Sequence, residues 1–495
     1  MPAQNPDSYR QIAKSTSIVG TSSVLGVIIG IIRTKALAVL LGPAGVGLAG
    51  MLQSATNVVG TLTGLGLSQV AVRQIAEAAG TQNEDIIART IHTIRRTALM
   101  SGLFGMLIVL IFYHPITLAT FGNLDYTKDI ALVSLTLLFS SISTSQLAIL
   151  QGLRRLKELA ISSVLGNIMG LIVSVAIVFF LRDQGIALFL VAVSVFCVLP
   201  SWWYTQKIKF RYVKLTIRQL FQEINGLLGM GVAFTISAML FVSTLYIIRI
   251  LIIRELGMNA VGLYTATWTL SSLYVGIILN SMAADYYPRL TAVASNNNTV
   301  NQIVNEQTEM CVLLSFPGIL ATLAFSEYIL QIFYSSDFSP ANGIIQWQIV
   351  GVAIRVVSWP AVYIILAKGK FKLFILTETV WTILHILLTL IFMKWLGLEG
   401  LGLAYVGLYF LYTILVIYVA RNLSGFIWTK QSLILITIGL VACAIALSAM
   451  RILPNSWALI ASIAITIITS VGSVILLKKL LNINFSDIII KRFRS

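Results

Sequence analysis

Apolar residues along this chain fall in blocks of about 20 or more, separated by short polar stretches, from residue 15 to residue 477. A block of that length is what a helix needs to cross the hydrocarbon of a bilayer. Fourteen blocks stand out, centred on 15–40, 44–70, 91–113, 130–150, 161–181, 186–205, 227–252, 261–286, 308–326, 343–366, 373–394, 400–420, 432–451 and 457–477. The pattern predicts an all-α polytopic membrane protein with about 14 transmembrane helices. The polar segment Met1 to Lys14 precedes the first block, which is too long for a signal-peptide core and lacks a small-residue cleavage site. It reads as an uncleaved first span.

Composition closes off the soluble alternatives. At 495 residues the length alone would permit about three soluble domains. Hydrophobic residues make up 58% and charged residues 11%, against about 45–50% and about 25% in soluble chains. Mean hydropathy is +0.91, so polar surface is too scarce to coat a globule. The formal net charge is +16, and the distribution of cations explains it. With the N-terminus inside, about 25 Lys and Arg fall in cytoplasmic segments and about five in outer ones. This asymmetry orients both termini to the cytoplasm and accounts for the basic excess without nucleic acid.

The chain also repeats itself. LGPAGVGLAG at 41–50 recurs as LGMNAVGLYT at 256–265, and GIALFLVAVS at 185–194 recurs as GLGLAYVGLY at 400–409, both shifted by 215 residues. QGLRRLKEL at 151–159 aligns loosely with AKGKFKLFI at 367–375. Each copy holds six spans, an even number, so both enter the membrane the same way round, as a parallel repeat. The predicted organisation is a cytoplasmic N-terminus (1–14), a six-helix lobe (15–205), a basic cytoplasmic linker (206–226), a second six-helix lobe (227–421), and a two-helix hairpin with a basic tail (422–495). Two such lobes facing a cleft suit alternating access.

No extramembrane stretch exceeds roughly twenty residues, and P-loop, zincin and nucleophile-elbow motifs are absent. The expectation is a protein that is not an enzyme and uses no cofactor. Cys197, Cys311 and Cys443 are far apart and lack metal-ligand spacing, as do His92, His114 and His385, so no metal site is expected. The nine tryptophans lie mostly toward span ends, as an interfacial belt does.

Charges inside spans remain. A Lys or Arg at mid-bilayer costs about 2.5–3.5 kcal/mol on insertion scales and usually faces a cavity or a partner. Arg33, Lys35, Arg249 and Arg355 are such residues. Arg33 and Lys35 lie two apart, about 200° round a helix, so one of them either faces a cavity or snorkels to the headgroups. Arg249 stands at the matching place in the second repeat, Arg33 plus 216. Arg355 lies near the middle of its span. Two acids accompany them. Asp285, one turn before Arg289, reads as half of an ion pair. Glu378 either bridges Lys368, Lys370 and Lys372 or carries a coupling proton.

Three segments carry a family resemblance: KALAVLLGPAGVGLAGMLQS at 35–54, WQIVGVAIR at 347–355 and ILAKGKFKLFILTE at 365–378. They resemble the bacterial flippases of lipid-linked O-antigen and enterobacterial common antigen repeat units. That is the polysaccharide-transport branch of the multidrug/oligosaccharidyl-lipid/polysaccharide exporter (MOP) superfamily. The resemblance covers about residues 12 to 421; the last two spans exceed the twelve usual in that branch. It implies an inner-membrane protein that moves an undecaprenyl-diphosphate-linked oligosaccharide to the periplasmic leaflet. Membrane lipids surround it, and a polysaccharide polymerase and a chain-length regulator are the implied partners. It also implies that Lys35, Arg249 and Arg355 hold the diphosphate. Common antigen members carry an Asp three residues before the last of these cations, where this chain has Val352.

The charge pattern weighs on the alternatives. A flippase of lipid-linked peptidoglycan precursor shares the fold, the fourteen spans and the cationic cavity. A cation-drug exporter of the same superfamily would need an acidic cavity. A membrane glycosyltransferase or polymerase would need outward acids or a large outer loop; Asp125, Asp129, Glu327 and Asp337 are scattered among short ones.

Overall fold

The computed structural model describes residues 6–64, 66–208 and 217–481, and those residues form helices and short turns with no strand among them. Eleven helical stretches are long and apolar enough to cross a membrane. Three of them, 45, 51 and 58 residues long, each hold enough residues for two crossings at about 20 per crossing. Large apolar side chains point outward along these helices, among them Phe180 at 79% and Ile468 at 70% exposure. Such a surface suits lipid and is untenable in water. The chain is a multi-pass membrane protein.

The first helix, α1 (Pro6–Gly64), takes in the first two predicted spans as one element bent at Gly42 (φ 62°, ψ −164°). A shorter helix, α2 (Leu67–Gly80), precedes α3 (Glu84–Ile111), whose N-terminus is capped by Asn83 accepting from the Asp85 and Ile86 amides. Then come a short α4 (Tyr113–Phe121), α5 (Thr127–Gly152), α6 (Leu156–Leu181) and α7 (Ile186–Gln206). The second half begins with α8 (Ile217–Ala292), again one element for two spans, bent at Gly257 (φ 83°, ψ 178°). It continues through α9 (Asn297–Ala324), α10 (Ser326–Phe333), α11 (Asn342–Ala367), α12 (Phe371–Leu396) and α13 (Leu398–Ser424). Asn296 caps α9 as Asn83 caps α3. The hairpin α14 (Lys430–Ile452) and α15 (Asn455–Leu481) follows and packs on α9.

The repeat seen in the sequence is a repeat of backbone geometry. Gly42 and Gly257 are 215 residues apart and share a conformation reserved for glycine. At the same shift, Arg154 (φ 56°) matches Gly369 (φ 65°). Arg182 (φ 51°, ψ −133°) likewise matches Gly397 (φ 57°, ψ −129°). The 215 shift also corrects one expectation. The equivalent of Arg249 is Thr34, not Arg33, and Thr34 spends its hydroxyl on the Gly30 carbonyl at 3.0 Å. One residue is 100° of helix, so Arg33 and Arg249 do not occupy equivalent positions.

By proximity the chain separates into two compact units, Met1–Gly262 with Phe333–Ser335, and Leu263–Ile332 with Ser336–Ser495. In the first unit α8 approaches α1 closely. A Cβ built on Gly262 would lie 1.8 Å from the Pro43 carbonyl oxygen, and one on Gly47 2.5 Å from that of Met258. Small residues permit this backbone approach, as between other membrane helices.

Candidate functional site

In the first unit, the cations sit on the outer arm of α1 and on α8. Arg33 is half-buried and Lys35 exposed, which agrees with their 200° separation on the helix. Arg249 is half-buried and donates through Nη1 to Ser54 Oγ at 2.9 Å. Ser54 in turn donates to the Gly50 carbonyl at 2.6 Å. On either side of Arg249 along α8, Tyr246 and Arg254 bind α4: the Tyr246 hydroxyl pairs with Thr120, and Arg254 Nη2 donates to the Ala119 carbonyl at 2.9 Å.

In the second unit, close packing of α11 on α13 fixes Arg355. A Cβ on Gly351 would meet the Tyr405 ring at 2.6 Å, and one on Gly402 the Ile344 carbonyl oxygen at 2.5 Å. One turn past Gly351 on α11 is Arg355, and one turn past Tyr405 on α13 is Tyr409. Accordingly the guanidinium lies 6.0 Å from the Tyr409 ring centroid, within cation–π range. Tyr405, Tyr409 and Tyr412 share one face of α13 at four- and three-residue spacing, with ring centroids 4.8 and 6.3 Å apart. Facing them, α12 presents Glu378, Trp381 and His385, also spaced by three and four. The Tyr412 hydroxyl donates to Glu378 Oε1 at 3.0 Å. His385 is buried among Trp268, Trp381 and Tyr405, at 6.0, 5.0 and 5.9 Å between ring centroids.

Sequence reasoning named Arg355 and Glu378 but not the aromatic residues that join them. Trp268 and Trp381 lie inside this cluster and not in the interfacial belt. The missed signal was the three- and four-residue spacing of aromatics along 378–385 and 405–412. For Glu378 the structure gives a partner on α13 in place of the loop lysines. Lys368 Nζ instead donates to the Ala294 carbonyl at 2.9 Å and to Asn297 Oδ1 at 2.6 Å. Asp285 does pair with Arg289, at 3.3 Å. Both are exposed, so the pair contributes about 1 kcal/mol at most.

A third feature was not anticipated. Within the first unit, α1, α2, α3, α5, α7 and α8 line a cavity of about 450 Å³. Of the 24 described residues that line it, eleven are Ser or Thr, two more are Gln53 and Asn57, and none is charged. Runs such as SSISTSQ at 140–146 and QSATN at 53–57 are the sequence trace of this polar wall.

The comparisons bear on this arrangement directly. The family described as "Polysaccharide biosynthesis protein" matches residues 36–342. The chain belongs to that family. The match runs from the outer arm of α1 to the start of α11, so it takes in Arg249 and the hydroxyl-lined cavity. Among curated relatives, the "Lipid III flippase" of Escherichia coli (strain K12) is 25% identical over 417 residues, which is 81% of this chain and 96% of that protein. The protein of the same name from Shigella flexneri matches equally. Among solved structures, an inward-facing multidrug resistance MATE family transporter of the MOP superfamily aligns with a TM-score of 0.67 at 14% identity, over 81% of this chain and 95% of that one. The lipid II flippase MurJ in an inward closed conformation aligns with a TM-score of 0.66 at 14% identity, over 94% and 99%. The fold is that of the MOP superfamily, and the resemblance to its polysaccharide branch is borne out.

Proposed function

We propose that this member of the polysaccharide biosynthesis family is a flippase for a prenyl-diphosphate-linked oligosaccharide. It carries the repeat unit from the cytoplasmic to the periplasmic leaflet of the bacterial inner membrane by alternating access, for O-antigen or common antigen assembly. A polysaccharide polymerase and a chain-length regulator would receive the product. The observation that carries the reading is the match to the lipid III flippase, which spans 96% of that protein. The chemistry fits. A diphosphate cannot cross hydrocarbon with its charge exposed, and Arg249 and Arg355, aided by Arg33 and Lys35, would replace its water with charge-assisted hydrogen bonds. Glu378, held by Tyr412 beside Arg355, is the better placed acid for ion coupling. Asp285, paired at the exposed end of α8, is the weaker one.

A second reading is a flippase of lipid-linked peptidoglycan precursor. Its support is the MurJ alignment, which covers 94% of this chain, more than the residues preceding the terminal hairpin can supply. Deleting the gene and identifying the lipid-linked sugar that accumulates on the cytoplasmic side tests both. A surface-polysaccharide repeat unit supports the first reading, a peptidoglycan precursor the second, and no accumulation overturns both.

A further inference from the structure

The hydroxyl-lined cavity of the first unit has no charged residue among the described residues that line it, so it offers a diphosphate no counter-charge there. Its hydrogen-bonding character is also one-sided. Eight of its eleven Ser and Thr hydroxyls donate to helix carbonyls. Ser101 donates to Thr63 at 2.8 Å, Ser141 to Ala98 at 2.7 Å and Ser194 to Leu190 at 3.2 Å; Thr56, Thr63, Thr136, Ser140 and Ser145 donate to carbonyls of their own helices. A hydroxyl whose proton is committed this way keeps its lone pairs. The wall therefore offers acceptors. Gln53 Nε2 is likewise committed, to Asn57 Oδ1 at 3.0 Å, and both amides are exposed in the cavity wall. That leaves the Gln53 carbonyl as a further acceptor and the Asn57 amino group as a donor.

An acceptor-rich, uncharged wall selects a ligand rich in neutral donors. A cation would find no carboxylate, and an anion no counter-charge. A polyhydroxylated, uncharged molecule would find a partner for each O–H. The volume of about 450 Å³ lies in the usual range of small-molecule sites, about 300–1,000 Å³. We propose that this cavity is a sugar subsite: it takes up uncharged sugar units of the lipid-linked substrate, while the cations elsewhere hold the diphosphate. The inference rests on the flippase reading for the source of the sugar, but the site itself is testable without it. Most of the lining comes from the arm of α1 after Gly42, the middle of α3 and the later half of α5, so the sugar lies far from the outer arm that carries Arg33 and Lys35.

The test is alkylation of a single cysteine, Ser140→Cys, placed on the exposed wall of the cavity in a protein whose Cys197, Cys311 and Cys443 are replaced by Ala. In nanodiscs, maltose and N,N′-diacetylchitobiose should slow its reaction with N-ethylmaleimide. Adding Asn57→Leu and Thr144→Val should weaken that protection about tenfold. Digalacturonate, farnesyl diphosphate and sodium chloride should leave the rate unchanged. If neutral sugars do not protect, the cavity is filled by water only and the proposal falls. Protection by sodium alone makes it an ion site, and protection by farnesyl diphosphate a headgroup site; either overturns the proposal. Flipping of the lipid-linked saccharide is measured separately on the same preparations. Sugar protection without flipping would sink the flippase reading and leave the sugar site standing. Flipping without sugar protection would do the reverse.

Discussion

Arg355 shows how one side chain is placed for a task by the packing below it. Gly351 lets α11 settle on Tyr405, and the next helical turn brings the guanidinium to Tyr409. The cation–π contact returns about 2 kcal/mol or more where the pair is desolvated, comparable to an insertion cost of about 2.5–3.5 kcal/mol. Tyr405 and Glu378 also interact favourably with the guanidinium. The guanidinium is therefore held in place by its own neighbours, the preorganisation that binding an anionic ligand calls for. Arg249→Ala and Arg355→Ala should each abolish export, with membrane abundance near the parental level on quantitative blots. The Lys variants should restore only part of the activity, because the charge remains but the bidentate fork is lost. Collapse of abundance would make both residues structural. Glu378 gives a second prediction. Glu378→Gln keeps an acceptor for the Tyr412 hydroxyl but trades a charged hydrogen bond for a neutral one, costing about 1 kcal/mol. Abundance should hold while transport by reconstituted protein falls at least about tenfold, the loss expected of a charge that acts in coupling. Transport at the parental rate would reduce Glu378 to a brace for α13.

At the scale of helices, the glycine bends decide how two long elements each supply two crossings. Gly42 and Gly257 hold a backbone conformation that costs any other residue about 1–3 kcal/mol. Ala at either position should lower the thermal midpoint in detergent accordingly. The repeat supplies a converse test. Arg154 occupies the left-handed conformation that its mate Gly369 adopts freely. Relieving that strain is worth about 1–2 kcal/mol, less up to about 1 kcal/mol for the added freedom of the unfolded glycine. Arg154→Gly should raise the midpoint slightly, and Gly369→Arg should lower it. The sequence made the repeat legible because glycine and the flanking apolar residues recur in LGP and LGM. It hid the register because apolar blocks tolerate a slip of one residue, whereas a charged side chain does not. The pairing of Arg33 with Arg249 failed for that reason, and Thr34 is the true mate. The face joining Glu378, Trp381 and His385 to Tyr405, Tyr409 and Tyr412 was hidden differently. Aromatics in a membrane span add to hydropathy without showing which helix they meet.

Over the whole molecule, charge outside the spans sets how the chain lies in the membrane. The turn at Arg154 and Arg155 joins α5 to α6, and the turn at Lys368 and Lys370 joins α11 to α12. These turns are 215 residues apart and share a left-handed residue. Equivalent turns of a parallel repeat lie on one side of the membrane, since an even number of crossings separates them. Both are basic, and basic loops stay in the cytoplasm. The turns after α4 and α10, near Asn123 and Ser336, should face the opposite side. All four sites are exposed, so a thiol reagent that cannot cross the membrane discriminates between them by side alone. The chain's own cysteines give little background: Cys311 and Cys443 are buried and Cys197 is partly so. In intact cells Asn123→Cys and Ser336→Cys should react with the reagent, while Arg155→Cys and Lys370→Cys should react only after the membrane is permeabilised. Labelling of Arg155→Cys from outside would invert the topology, and with it the direction of loading that the proposed function requires. Labelling of only one of the two basic turns from outside would break the parallel relation of the repeats while leaving their shared backbone geometry intact.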